Sequence, residues 1–185
     1  MMTLKCFIAL ENINTEEDLL EIAEKIWSLG DIDSIAQQLD TTAFNAFVMM
    51  NIIGHWKGDG WSGIIEGYDF LPFIENVLKV HQLDDLTIHY KKLIELFPID
   101  PFSNKVKELF CDHHNFLINP RFKSQQKNDY FKLLEIDFEV RKTLSKQYHE
   151  LLVLLDDESE QLWSYDAPNE AGWGIVIDYI RKNVR

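Results

Sequence analysis

The sequence predicts an all-α fold, and three observations support that prediction. Apolar residues recur at three- and four-residue spacings over most of the chain, as on the buried face of an amphipathic helix. No long stretch alternates between apolar and polar residues, which would indicate a half-buried strand. Helix start and stop signals divide the chain into segments of helical length. Together these features predict a compact bundle of about seven to nine helices.

The first part of the chain is predicted to contain an ambiguous segment and then two acidic helices. Met1–Leu10 carries a short apolar run that is compatible with a short N-terminal strand or with the start of a helix. Thr15 is a typical N-cap before three acids, and apolar residues at helical spacing then continue to Gly30, which predicts the helix end. Asp31 predicts the start of a short helix over Ile32–Leu39.

The next helix is predicted to form the centre of the core. Asp40 or Thr41 caps it, and the residues that follow as far as Ile53 are apolar almost all round. A glycine-tryptophan joint, residues 54–68, comes next. Glycine adopts backbone angles that other residues resist, so this joint is predicted to be a sharp turn between helices. Its candidate joint or pocket residues are His55, Trp56, Gly58, Gly60 and Trp61.

The remaining elements are predicted from their proline, asparagine, aspartate and glycine boundaries. Pro72 suits the first turn of a helix over residues 71–82, and Asp84 caps a helix over residues 85–97 that Pro98 ends. The other predicted elements are helices over Pro101–Phe116, Asp129–Leu155 and Gly172–Val184, a surface loop over Arg121–Asn128, and a turn over Asp156–Asn169 with a helical stretch at Ser159–Tyr165. The chain is predicted to be one domain, residues 1–185, with acidic helices in 1–39 and the core in 40–183.

Composition and charge limit the classes of function that fit this chain. A length of 185 residues with 46% hydrophobic content is enough for one buried core. The net charge of -13 repels phosphates, which argues against direct DNA or RNA binding and favours a basic protein partner. Two cysteines without CxxC spacing indicate reduced thiols, and neither a signal peptide nor a membrane span is evident, so we expect a cytoplasmic protein.

The acids are concentrated in two clusters that contain almost no bases. Residues 11–40 hold Lys25 as their only base, and residues 156–170 hold none. Ordinary surfaces mix the two signs, so these clusters predict a surface that binds a partner. Simple solvation of exposed helix faces is the alternative that the sequence leaves open. The candidate partner-binding residues are Glu17, Glu21, Glu24, Asp31, Asp33, Asp156, Asp157, Glu158 and Glu160.

Three stretches of the chain resemble the DUF4375 family. After the long apolar helix, the family's asparagine-glycine-glycine-aromatic signature is similar to Gly58-Asp59-Gly60-Trp61-Ser62-Gly63-Ile64-Ile65, with Lys57 and Asp59 at the places of the asparagine and the second glycine. The helix pair over residues 71–97 looks like the pair that follows the signature. The family's closing stretch is similar to Leu155-Asp156-Asp157-Glu158, Leu162-Trp163 and Tyr179-Ile180-Arg181-Lys182-Asn183.

The resemblance covers residues 40–183 and carries several expectations. It implies an all-α fold without known catalysis. In one described relative it implies an acidic surface that stands in for duplex DNA and binds a DNA-binding transcription factor. It also allows a homodimer. We therefore expect a non-enzymatic acidic domain, either a DNA mimic or an inhibitor, that occupies the nucleic-acid-binding surface of a basic regulator or nuclease.

The competing hypothesis is a small hydrolase or metalloprotein. Cys111-Asp112-His113-His114, with Glu108 one turn earlier, supplies thiolate, imidazole and carboxylate groups, which are all metal ligands. Only Glu108 with Asp112, or Cys111 with His114, would share a helix face. His55 beside Trp61 is the other candidate, in a cleft at the glycine-tryptophan joint. Because neither arrangement has a recognised catalytic or metal-binding spacing, we expect no catalytic residue, no metal and no cofactor.

Overall fold

A computed structural model of the chain describes residues 1–98, 100–102, 110–121, 137–164 and 172–184. Within these ranges it contains nine α-helices and no strand, which confirms the predicted all-α class. The helices are α1 Glu16–Trp27, α2 Ile32–Gln38, α3 Thr41–Gly58, α4 Gly60–Gly67, α5 Leu71–Val80, α6 Asp84–Glu95, α7 Phe110–Ile118, α8 Phe138–Trp163 and α9 Trp173–Asn183. Two short 3-10 helices, Leu4–Cys6 and Leu10–Asn12, precede them.

Helix α3 lies at the centre of the bundle, as its all-round apolar sequence predicts. Every residue from Ala43 to Ile53 is buried except Phe44 and Asn51, which are half-buried. Five helices, α1, α4, α5, α8 and α9, pack against it. A helix that is apolar on every side is stable only when neighbours cover every side, and these five do so.

The other helices form an outer layer held to the core by apolar contacts and a few hydrogen bonds. Helix α6 packs on α5 and α8, and α7 packs on α8. The hydroxyl of Tyr90 in α6 donates to the Leu71 carbonyl of α5 at 2.7 Å. Arg141 Nη2 in α8 donates to the carbonyls of Phe116 and Asn119 at 2.9 and 3.0 Å, which satisfies the C-terminal end of α7.

Side-chain caps fix the starts of the first three helices, as predicted. Thr15 and Asp18 form a reciprocal capping box at the start of α1. The carboxylate of Asp31 accepts from Ser34 N at 2.8 Å, and that of Asp40 accepts from Ala43 N at 2.7 Å. Helix α6 differs from the prediction, because Leu83 is at its N-cap and Asp84 is already its first residue.

The N-terminal segment does not form the strand that its apolar run allowed. Leu4 is buried in a 3-10 turn, and Met2 makes only an isolated bridge to Leu39. Met2 N donates to Gln38 O at 2.7 Å, and Met2 O accepts from Asp40 N at 2.9 Å. One residue of pairing anchors the chain end beside the start of α3 but is too short to begin a sheet.

One predicted turn is much shorter than expected, and another does not form. The glycine-tryptophan joint is not an open turn: α3 continues to Gly58 and α4 starts at Gly60, so the break falls at Asp59 alone. The predicted turn at Asp156 is wrong, because α8 continues to Trp163. Leu152, Leu155 and Ser159 are all buried, so the inward stripe of α8 runs through the acidic cluster without interruption.

Some predicted elements lie wholly or partly outside the described residues. These are residues 103–109 of the predicted Pro101–Phe116 helix, nearly all of the Arg121–Asn128 loop, the start of the Asp129–Leu155 helix, and the end of the Asp156–Asn169 segment. Among the helices that the structure describes, none is long and apolar enough to cross a membrane.

Candidate protein-binding surface

Five of the predicted partner-binding acids lie exposed on the first two helices. Glu17, Glu21 and Glu24 point away from the face of α1 that packs on α3, and Asp31 and Asp33 lie at the start of α2. The buried face of α1 consists of Leu19, Ile22 and Ile26. The 3.6-residue period therefore places the acids on the outside, as the sequence predicts.

The negative charge of α1 is only partly neutralised. Lys25 Nζ lies 2.6 Å from Glu21 Oε1 and also donates to the Phe7 carbonyl at 2.9 Å. Lys57 Nζ, from α3, lies 3.3 Å from Glu16 Oε1. Within the described ranges, Glu17 and Glu24 form no ion pair. Two acids of this helix are therefore available to a basic group from outside.

In the second acidic cluster, two of the predicted acids form contacts within the protein. The carboxylate of Asp156 accepts a hydrogen bond from Trp61 N at 3.0 Å, and Glu158 Oε1 lies 2.8 Å from His89 Nδ1. Both acids are half-buried, whereas Asp157 and Glu160 are exposed. Asp156 and Glu158 thus connect α8 to α4 and α6, a structural role that the local sequence pattern does not indicate. We therefore centre the candidate surface on the exposed acids of α1, Glu17, Glu21 and Glu24.

The residues of the glycine-tryptophan joint separate into core and surface positions. Trp56 is 3% exposed and Trp61 0%, with ring centroids 5.9 Å apart, so both belong to the core. Gly58 is an exposed helical residue of α3. Gly60 has a φ of +65°, and a Cβ atom there would lie 2.9 Å from Asp156 Oδ1. Among the described cavities, His55 lines one that Trp61 does not reach, and Trp61 is fully buried, so the predicted cleft shared by His55 and Trp61 is not seen in the described part of the chain.

That cavity is an open groove of about 470 Å³ between α1 and α3. Leu20 and Trp27 form its outer edge and are 47% and 41% exposed. The indole N–H of Trp27 donates to Asn51 Oδ1 at 3.2 Å, and its ring meets the edge of Phe47. The remaining lining residues are Glu16, Leu19, Ala23, Glu24, Met50, Gly54, His55, Lys57 and Trp173.

The groove was not predicted from the sequence, although a signal for it exists. Leu20 and Trp27 lie outside the buried stripe of α1, at positions where an amphipathic helix normally carries polar residues. Large apolar side chains on a face that is otherwise acidic indicate a binding surface. Asn51 and Trp173 carry no comparable signal, because only the packing of α3 with α1 and α9 brings them to the groove.

The histidine-containing helix α7 does not show the geometry that its sequence suggested. His114 is buried, its Nε2 lies 2.7 Å from the Tyr148 hydroxyl, and burial lowers its pKa. Cys111 is exposed, so these two side chains are not presented together. Glu108 lies outside the described residues. Among the residues that are described, no group of three or more His, Cys, Asp or Glu side chains could hold a metal ion.

A second cavity, of about 570 Å³, lies where α3 begins and α5 and α9 end. Asn45 lies in its wall: its Oδ1 accepts from Asn76 Nδ2 at 3.2 Å, and its Nδ2 donates to the Tyr179 hydroxyl at 3.3 Å. The ring of His81 packs on Tyr179, and its Nδ1 bonds the Val77 carbonyl at 2.7 Å. Its buried Nε2 has no hydrogen-bond partner among the described residues. Burial lowers the pKa of His81 to about 4, so the ring is neutral at pH 7.

Comparisons of the chain with protein-family models, with curated proteins and with solved structures found no match.

Proposed function

We propose that this chain is a non-enzymatic, acidic protein-binding domain of the cytoplasm. Its partner is a basic protein, such as a DNA-binding regulator or a nuclease, whose nucleic-acid-binding surface it occupies. The observation that supports this proposal most directly is the exposed acidic side of α1, on which Glu17 and Glu24 have no ion pair among the described residues. The likeness of residues 40–183 to the DUF4375 family points in the same direction.

Electrostatics explains why such a surface selects this class of partner. A protein that binds nucleic acid presents lysine and arginine side chains at positions that meet phosphates. Carboxylates held on a rigid helix attract the same side chains and speed the encounter, most strongly at low ionic strength. A net charge of -13 adds a long-range contribution of the same sign.

The spacing of the acids indicates the form of mimicry. Successive α1 carboxylates at Glu17, Glu21 and Glu24 are three or four residues apart, or about 4.5–6 Å along the helix axis. Phosphates on one strand of duplex DNA recur about every 3.4 Å along its axis. The acidic side of α1 therefore resembles DNA in charge more than in detailed geometry, which suits an inhibitor that masks a basic surface.

A binding experiment with two matched triple variants tests the proposal. Glu17→Gln/Glu21→Gln/Glu24→Gln removes three acids from α1, and Asp69→Asn/Asp85→Asn/Glu95→Gln removes three exposed acids elsewhere. Both variants carry a net charge of about -10, since each loses three of the carboxylates behind the wild-type -13. Each protein is immobilised and exposed at low salt to lysate of its host.

The expected result is that wild type and the control variant retain the same basic protein, which moderate salt elutes, while the α1 variant retains little of it. Equal loss on both variants would show that overall charge alone is responsible, and equal recovery on all three proteins would show that the α1 acids take no part in binding. Recovery of no basic protein on wild type would remove the basis of the proposal.

A further inference from the structure

The acidic helix α1 also carries the exposed edge of the apolar groove. Leu20 and Trp27 are seven residues apart, so they lie on the same side of α1 about 10 Å from each other. Both are more than 40% exposed and both line the same groove. Exposed apolar residues are common one at a time, but two that share a groove form a continuous patch on which a partner can be buried.

Acids flank this apolar patch along its length. Glu17 and Glu24 lie three residues before and four residues after Leu20, within one turn of it on α1. Glu24 itself lines the groove. The two lysines nearby, Lys25 and Lys57, are held by Glu21 and Glu16. A segment that enters the groove therefore meets apolar surface in the middle and unneutralised carboxylates at its side.

We propose that the partner presents a basic amphipathic helix, whose apolar residues enter the α1–α3 groove while its lysines or arginines meet Glu17 and Glu24. This inference rests on the proposed function and specifies the chemistry of the partner. A groove between two helices accepts apolar anchors spaced three, four or seven residues apart, which is how amphipathic helices are recognised. The described structure has no sheet edge to which an extended strand could add.

The apolar lining of the groove and the acids beside it disfavour other kinds of peptide segment. An acidic amphipathic helix would place carboxylates beside Glu17 and Glu24, where like charges repel. A basic segment without apolar residues would meet the acids but would leave Leu20 and Trp27 exposed to water. Affinity thus depends on both the basic and the apolar side of the partner helix, and the two dependences can be measured separately.

Two synthetic peptides, each about five helical turns long, separate the contribution of the apolar residues to affinity from that of the basic residues. The first has lysines on one face and leucines on the other, and in the second every leucine is replaced by glutamine at the same charge. Binding to the full chain is measured by fluorescence anisotropy with labelled peptides. Leu20→Gln tests the groove, and Ile88→Gln is its matched control, because Ile88 is 49% exposed on α6 and lines none of the described cavities.

We expect the leucine peptide to bind wild type at least about tenfold more tightly than the glutamine peptide. Leu20→Gln should weaken binding of the leucine peptide by about tenfold, with no effect on the glutamine peptide, and Ile88→Gln should change neither. If both peptides bind wild type equally and salt weakens both, the groove inference is wrong while the proposed function stands. If neither peptide binds, the proposed function itself is contradicted.

Discussion

The Oδ1 atom of Asp156 accepts a hydrogen bond from the backbone N–H of Trp61 at 3.0 Å, so a carboxylate of α8 caps the start of α4. Asp59, the residue at the N-cap position itself, makes no cap with its own side chain in the described structure. The first N–H groups of a helix need acceptors, and here the acceptor comes from 95 residues further along the chain.

Replacing Asp156 with alanine is expected to lower the free energy of unfolding by about 1 kcal/mol, within the roughly 0.5–2 kcal/mol typical of a lost N-cap. The neighbouring variant Asp157→Ala is the control, because Asp157 is exposed on the same helix. Urea unfolding followed by circular dichroism measures both. Equal stabilities for the two variants would mean that the Asp156 cap contributes nothing.

Alanine at Gly60 is expected to destabilise the chain by about 1–3 kcal/mol. The φ of +65° is unfavourable for any residue with a Cβ atom, and that atom would lie 2.9 Å from Asp156 Oδ1. Gly58 is helical with nothing within 4 Å of its added Cβ, so Gly58→Ala should be neutral or stabilising by up to about 1 kcal/mol. The prediction fails if the two alanine variants melt at the same temperature.

Local periodicity was sufficient to predict most of the fold. The stripes of α1 and α3, and the caps Thr15, Asp31 and Asp40, depend on residues within a few positions of each other, so they can be recognised in one sequence. The continuation of α3 through Gly54 to Gly58 could not be predicted in this way. Glycine is a weak helix former, so packing in the bundle is needed to keep that segment helical.

The candidate surface was only partly predictable for a related reason. Exposure of Glu17, Glu21 and Glu24 follows from the period of one helix, and the structure places them as expected. The structural use of Asp156 and Glu158 depends on Trp61 and His89, which are distant in sequence. The groove likewise requires α1 to lie on α3, and pairwise packing of helices is not encoded in the pattern of either helix alone.

Acidification is expected to destabilise the chain through His81. Its pKa is lowered to about 4 in the folded state against 6.5 in the unfolded state, so between these values the unfolded chain binds more protons. The contribution of His81 to the free energy of unfolding is fully present above pH 6.5, and it declines by about 3 kcal/mol as the pH falls to 4. Below pH 4 the decline levels off, because the imidazole of the folded chain becomes protonated as well.

The variant His81→Gln provides the test, because glutamine does not titrate. Unfolding free energies of both proteins are measured at several values from pH 7 to pH 4, and the difference between the two slopes isolates the histidine from the carboxylates and from His114. The wild-type slope should be steeper. Parallel slopes would show that His81 is not the group responsible.

The salt dependence of binding to the glutamine peptide tests most sharply whether the acids of α1, rather than diffuse charge, recognise a basic partner. The dissociation constant of this peptide is measured for wild type and for the two triple variants at salt concentrations from about 50 to about 200 mM. We predict that Glu17→Gln/Glu21→Gln/Glu24→Gln binds about tenfold more weakly at low salt, with a shallower salt dependence, while Asp69→Asn/Asp85→Asn/Glu95→Gln matches wild type. Identical affinities and salt slopes for the two variants would contradict the account.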